Sequence, residues 1–328
     1  MQRSKLDRYG IIRAHLWKVA GVAALLTGIS PMSSMAQQAG QKTFPTAQAA
    51  SQALVDAAKS NDESAMLKVL GPDGKDIISS GDDVQDAQNR STFVMRYQEM
   101  HRLMKEPNGN TTLYVGSQNW PLPIPLVDRN GMWYFDSPTA KMEILYRRVG
   151  RNEISTIRTS LELVAAQKEY AASHSGQYAQ KIFSDPGQQN GLYWKADNSQ
   201  PQSPIGPLVA AAVAEGYTSK KEGAAATPYR GYLYHVLTAQ GPHAPGGAKS
   251  YIVDGKMTGG FAFVAFPAAY RSSGVMTFVI CQNGVVFRKD LGPNTEKIAE
   301  AMKSFDPNPS WKKDEDQQEE SAAAMKTD

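Results

Sequence analysis

The chain reads as an α+β protein built in two lobes. Helical spacing of apolar residues dominates residues 46–105 and 139–173, and strand-like runs dominate residues 229–290. No regular strand–helix–strand alternation joins them, which argues against a parallel α/β sheet. Tight-turn dipeptides, Asn130-Gly131 and Asn283-Gly284, predict antiparallel hairpins in both lobes.

Taken from the amino end, a basic leader (Arg3, Lys5, Arg8, Arg13, Lys18) precedes an apolar run at residues 19–29. Ser34-Met35-Ala36 then follows as a small-x-small triplet. This order predicts a signal peptide over residues 1–36, cleaved after Ala36, and a periplasmic or secreted product. The run is well short of the ~20 residues that cross a bilayer. No later segment is apolar enough to span, so no transmembrane segment is expected after cleavage. Residues 37–45 are polar and small, and predict a tether.

The first lobe is expected over residues 46–150. Ala50, Leu54, Ala57 and Ala58, then Met66, Leu67 and Leu70, predict helix over 46–70, stopped by Gly71-Pro72-Asp73-Gly74. Residues 82–105 contain a second helix, with Phe93, Tyr97, Met100 and Met104 on one face. A hairpin follows. Residues 113–115 form a strand, and 120–127 return with Pro121, Pro123 and Pro125 at alternate positions, an edge signature. After the turn at residues 128–131, Met132-Trp133-Tyr134-Phe135 is an aromatic strand. The lobe has the outline of a small cystatin-like or NTF2-like module.

The second lobe is expected over residues 151–310. Its helix carries the stripe Ile154, Ile157, Leu161, Val164, Ala165, and Gly150 marks a bend or boundary. Residues 183–207 are irregular, and residues 207–216 predict a short helix. Strands are expected at 231–239, 260–266, 275–281 and 285–290, with a closing helix at 294–305. A helix laid over an antiparallel sheet, with a Gly-Tyr loop at Gly176-Gln177-Tyr178, is similar in layout to pilin and pseudopilin globular domains. The long apolar amino-terminal helix and prepilin cleavage motif of those proteins are missing. Residues 311–328 are charged without a core face and predict a disordered tail.

Several chemistries are disfavoured. The formal net charge is +3, of which the leader carries +4, so residues 37–328 sit near −1 and make no case for nucleic acid. The single cysteine, Cys281, forms no internal disulfide and reads as strand packing. No His-Glu-x-x-His, paired-cysteine, phosphate-loop or Gly-x-Ser-x-Gly pattern occurs, so neither metal nor cofactor is expected.

What remains are three groups. Arg147, Arg151 and Arg158 fall on one helical face beside Arg148, where guanidinium groups can grip a phosphate or carboxylate. A surface salt-bridge network with Glu143 and Glu153 is the plainer reading. His243 sits in the unusual loop Gln240-Gly241-Pro242-His243-Ala244-Pro245-Gly246-Gly247, with His235 upstream and Asp254 downstream as partners for acid–base work. A rigid connector is the plainer reading there. Trp120 and Trp133 can stack on a sugar or peptide, or simply fill the core. The candidate binding residues are therefore Arg147, Arg151, Trp120, Trp133, His235, His243 and Asp254.

An ordered set of short motifs runs through the chain: Trp120-Pro121-Leu122-Pro123-Ile124-Pro125, Trp133-Tyr134-Phe135-Asp136, Arg147-Arg148-Val149-Gly150-Arg151-Asn152-Glu153 and Ala166-Gln167-Lys168-Glu169-Tyr170. Leu237-Thr238-Ala239-Gln240-Gly241-Pro242, Ala244-Pro245-Gly246-Gly247-Ala248 and Gly274-Val275-Met276-Thr277-Phe278 complete it. The set resembles the DUF2950 family of exported bacterial proteins across most of residues 44–310. The resemblance implies export and a bacterial source, and brings no catalytic residue with it. The functional expectation is a non-catalytic module of the cell envelope that binds an envelope protein or polymer. A periplasmic hydrolase using His243 or His235, and a pilus- or secretion-associated subunit, are the alternatives.

Overall fold

The computed structural model describes residues 37–196, 201–215, 217 and 227–314. The leader at residues 1–36 lies outside them. The fold is mixed α and β, with a helix-rich amino-terminal part and a sheet-rich carboxy-terminal part.

Residues 37–45 are a packed lead-in rather than a loose tether. Buried Gln41 donates its side-chain amide to the carbonyls of Val69 (3.1 Å) and Phe135 (2.7 Å), and Phe44 pairs with Trp133 through both backbone groups. The predicted first helix divides into α1 (Ala47–Lys59) and α2 (Glu63–Leu70), because Asn61 adopts a φ of 54° between them. Thr46 and Asp62 cap the two amino ends. A short α3 (Gly74–Ile78) leads to α4 (Asp83–Glu99), capped by Asp82. The helix predicted to run on to residue 105 stops here. His101–Lys105 is strand β1, paired along its length with β2 (Thr111–Val115). Then come β3 (Trp120–Pro121), β4 (Leu126–Arg129) and β5 (Met132–Phe135), giving the order β1-β2-β4-β5 with β3 hung on β2. Leu54, Met66, Leu70, Leu126 and Phe135 centre this part's core.

Helix α5 (Ser137–Ser173) starts at the Asp136 cap with Pro138 in its first turn. It runs unbroken through Gly150, so the expected lobe boundary at residues 149–151 lies inside it. Its amino-terminal end places Ala140 in the first core, and its carboxy-terminal end places Leu163, Val164 and Tyr170 in a second. Between these ends its inward residues are polar. Asn152 donates to the Ser273 carbonyl (2.9 Å) and accepts from the Gln85 side chain (3.2 Å), tying α4, α5 and the turn before the last hairpin together.

Beyond α5 lie α6 (Gly206–Ala214), β6 (Tyr232–Leu237), β7 (Ala239–Gln240), β8 (Lys249–Ser250), β9 (Ile252–Val253) and β10 (Lys256–Met257). Strands β11 (Ala262–Pro267), β12 (Met276–Cys281) and β13 (Val286–Asp290), helix α7 (Thr295–Glu300), β14 (Ser304–Phe305) and β15 (Lys312–Lys313) close the fold. The main sheet is antiparallel in the order β15-β13-β12-β11-β6. Its interior strand β11 is buried at every position, as a strand covered on both faces must be. The tail expected from residue 311 begins instead with the β15–β13 pairing, and residues 315–328 lie outside the described part. Among the described residues no helix is long and apolar enough to cross a membrane.

Candidate functional site

Helix α4 packs on α1 and β2, whereas α5 packs on α3. A cavity of about 510 Å³ fills the space left between α4 and α5. Its floor is apolar: Leu54 and Ala58 from α1, Met66 and Leu70 from α2, Ile77 and Ile78 from α3. Trp120, Leu122 and Ile124 form the wall beside β3.

Two helices deliver the charge. From α4, Asp86, Arg90, Phe93 and Arg96 recur at helical spacing and line the cavity. From α5, Ile144, Arg147, Arg148 and Arg151 do the same at i, i+3, i+4 and i+7. Five arginines therefore surround a space whose lining holds a single carboxylate, Asp86. That carboxylate accepts the Ser80 N–H (2.8 Å). Burial, the largest influence, raises its pKa above the ordinary aspartate value, and the Ser80 hydrogen bonds and then the Arg148 and Arg90 charges pull the other way.

The arginines divide by role. Arg148 is buried at 4% exposure, and its guanidinium donates to the Asp76 carbonyl (2.9 Å) and to that of Ile77. It holds the free carbonyls at the end of α3, and burial pushes its pKa below the ordinary arginine value. Arg147 is half exposed and held by Glu143 one turn back (2.7 Å). Arg96 lies over the Trp120 ring, 5.8 Å from its centroid. Gly116 makes that approach possible: it takes a φ of 74° at the end of β2, and an added Cβ would press on the Arg96 stem. Arg90 donates to Asn61 (2.6 Å) and faces Glu63 at 3.6 Å, yet its buried Nη1 has no hydrogen-bond partner among the described residues. Arg151 is exposed and has neither ion pair nor hydrogen bond there.

Of the sequence candidates, Arg147, Arg151 and Trp120 converge on this cavity. Trp133 does not; it pairs with Phe44 on the far strand of the sheet. His235 borders a different cavity, its ring donating to the Met302 carbonyl (3.1 Å), and burial lowers its pKa. His243 is exposed and bonds Asp306 through Nδ1 (3.1 Å) and its backbone N–H (2.9 Å), so Asp306 rather than Asp254 is its acidic partner. Asp254 sits at the exposed turn between β9 and β10 with a φ of 50°. Arg90 and Arg96 are not among the sequence candidates, because the α4 sequence carries no sign that its face beside Phe93 meets the arginines of α5. Among the described residues no group of three His, Cys, Asp or Glu side chains is placed to hold a metal ion.

The family model described as "Protein of unknown function (DUF2950)" matches residues 41–313. No curated protein and no solved structure matches the chain.

Proposed function

Since the chain belongs to the DUF2950 family, a family described without an activity, its role has to be read from its own cavity, and we propose that it is a non-catalytic binding module of the cell envelope that holds an anionic amphiphile. The ligand class is a phosphate or carboxylate head joined to an apolar chain. One observation carries this reading: an apolar floor and an arginine-rich rim share a single cavity. A pocket of about 510 Å³ lies within the ~300–1,000 Å³ usual for small-molecule sites. The floor excludes a fully hydrated ligand, because burying polar groups against it without partners is costly. The rim disfavours a neutral one. An anion within ~4 Å of a rim guanidinium gains about 4 kcal/mol at an effective dielectric near 20, before desolvation is subtracted. Arg151, without a partner among the described residues, and Arg90, whose buried Nη1 faces Glu63 at 3.6 Å but makes no hydrogen bond among them, are the two groups a ligand oxygen satisfies. Export rests on the leader sequence, which places such a module among acylated and phosphorylated envelope molecules.

The hydrolase alternative has weaker support. His235 and His243 stand in separate surroundings, and each is engaged by a different partner, the Met302 carbonyl and Asp306. The pilus-subunit alternative rests on layout alone.

Calorimetric titration with dodecyl phosphate, dodecanol and inorganic phosphate tests the proposal. Dodecyl phosphate should bind at least tenfold more tightly than either fragment, and the Arg147→Ala/Arg151→Ala double variant should lose that advantage. Dodecanol binding as tightly as dodecyl phosphate would sink it.

A further inference from the structure

The carboxylates around the arginine cavity are too few for its guanidinium groups. Three of the five lining arginines have an acidic neighbour. Arg90 faces Glu63 at 3.6 Å, Arg147 is held by Glu143 at 2.7 Å, and the charge of Arg148 acts on buried Asp86. Arg96 and Arg151 differ. Among the described residues neither guanidinium makes an ion pair or a hydrogen bond. Glu99, one turn beyond Arg96, is exposed and hydrogen-bonded to Ser117. Glu153, two residues past Arg151, is turned to the sheet, where one oxygen accepts the Val275 and Met276 N–H groups at 3.0 Å each. Asp73 and Asp76, on the α3 side of Arg148, share Lys141 and are half exposed, so solvent and salt screen them.

Two positive charges are therefore left over in a cavity floored by Leu54, Met66, Leu70 and Ile77. Low-dielectric walls focus such a surplus into the opening, where it acts on the total charge of an occupant. A head with one negative charge leaves one arginine charge unmatched, and a head with two matches both. Donor number points the same way. Guanidinium forks come from both α4 and α5, and the Thr92 hydroxyl and Asn89 amide stand on the α4 wall. A phosphate monoester offers three strong acceptor oxygens to such a set, whereas a carboxylate offers two.

We propose that the head taken by this cavity is a doubly charged phosphate monoester, in preference to a carboxylate, a sulfate ester or a phosphodiester. The inference rests on the reading of this cavity as a site for an anionic amphiphile and narrows it. Any anionic amphiphile satisfies that reading, while the unmatched charges of Arg96 and Arg151 select the dianion.

Octyl phosphate, octyl sulfate and octanol test it, titrated calorimetrically into the purified protein below their micelle concentrations. The two esters share a chain and a tetrahedral head. The sulfate carries one charge throughout, and the phosphate gains its second at about pH 6. At pH 8 octyl phosphate should bind about tenfold more tightly than octyl sulfate, and at pH 5 the two should agree within about twofold. Titration of Asp86 acts on both esters alike at pH 5, where each carries one charge. Arg96→Gln and Arg151→Gln should each cut the pH 8 ratio to about threefold, and the double variant should abolish it. Equal affinities at pH 8, with both esters binding more tightly than octanol, overturn the dianion and leave the amphiphile reading standing. A full ratio in the double variant overturns the assignment to these two arginines. Octanol binding as tightly as octyl phosphate, or no binding of any of the three at millimolar concentration, overturns both readings.

Discussion

The Tyr217 hydroxyl donates to Oδ2 of Asp82 at 2.8 Å, across 135 residues of sequence. The same oxygen accepts the Gly231 N–H (2.8 Å), while Oδ1 caps α4 through the Gln85 N–H (3.0 Å). One buried carboxylate thus starts a helix of the first core and fastens the approach to β6 in the second. Burial and the Asp82 charge, in that order, hold the Tyr217 phenol far above its ordinary pKa, so it remains a donor.

Asp82→Ala should cost about 2–4 kcal/mol, from a lost cap and two buried donors left unpaired. Tyr217→Phe should cost about 1 kcal/mol, since the cap and the Gly231 bond survive. Urea unfolding followed by circular dichroism and tryptophan fluorescence measures both. Equal losses for the two variants would show that the cap and the Gly231 bond carry nothing.

Arg148 and Arg151 are three residues apart on α5 and should behave oppositely. Arg148→Ala removes a buried guanidinium and leaves the partly buried carbonyls of Asp76 and Ile77 without their donor, and should destabilise by about 3 kcal/mol. Arg151→Ala removes an exposed side chain with no partner among the described residues and should change stability by no more than ~0.5 kcal/mol. It should nevertheless weaken dodecyl phosphate binding about tenfold, with the difference shrinking as salt is raised. Thermal melts and titrations on the same two variants separate the roles.

His235 makes stability depend on pH. Its folded pKa lies below 6.5, chiefly through burial, so between the two values the unfolded chain binds the proton that the folded chain refuses. Stability from this group is complete above pH 6.5 and declines as pH falls toward the folded value. His235→Gln can still donate to the Met302 carbonyl and should flatten that part of the curve. Denaturation midpoints from pH 7.5 to 5 would show it, and an unchanged slope in the variant would assign the dependence elsewhere.

Gly274 leaves no space for a side chain. A Cβ there would meet the hydroxyl and ring of Tyr232, a fully buried residue whose hydroxyl donates to the Met276 carbonyl (3.0 Å). Gly274→Ala should cost about 1–3 kcal/mol. Tyr232→Phe removes the nearest atom, so the double variant should lose less than the sum of the two single variants.

Much of the fold was legible where an element is long. The extent of α5 and the four long strands of the second part follow from spacing and turn chemistry, but the expected α5 stripe holds only in part: Ile157, Leu161 and Val164 pack in the second core, whereas Ile154 and Ala165 are exposed. The errors fall where tertiary pairing overrides local pattern. Met100 and Met104 stand four apart and mimic a helix face, yet residues 101–105 join β2 because a neighbouring strand is there to receive them. Two-residue strands such as β7, β8 and β14 are too short to show alternation. At the site, Arg147 and Arg151 announce themselves as a cluster on one helix. Their counterparts Arg90 and Arg96 come from another helix, and only the packing of α4 and α5 on different neighbours brings the two sets together.

The continuity of α5 has a consequence for how this protein can vary. Its 37 residues reach about 55 Å and plant side chains in both cores. Inserting or deleting one residue near Gly150 would rotate everything downstream by about 100° and slide it ~1.5 Å. Arg151 would swing off the cleft while Leu163 and Tyr170 left their sockets. Length changes among related chains should therefore collect in the connectors around residues 183–207 and spare the helix, with substitution as its only route of drift.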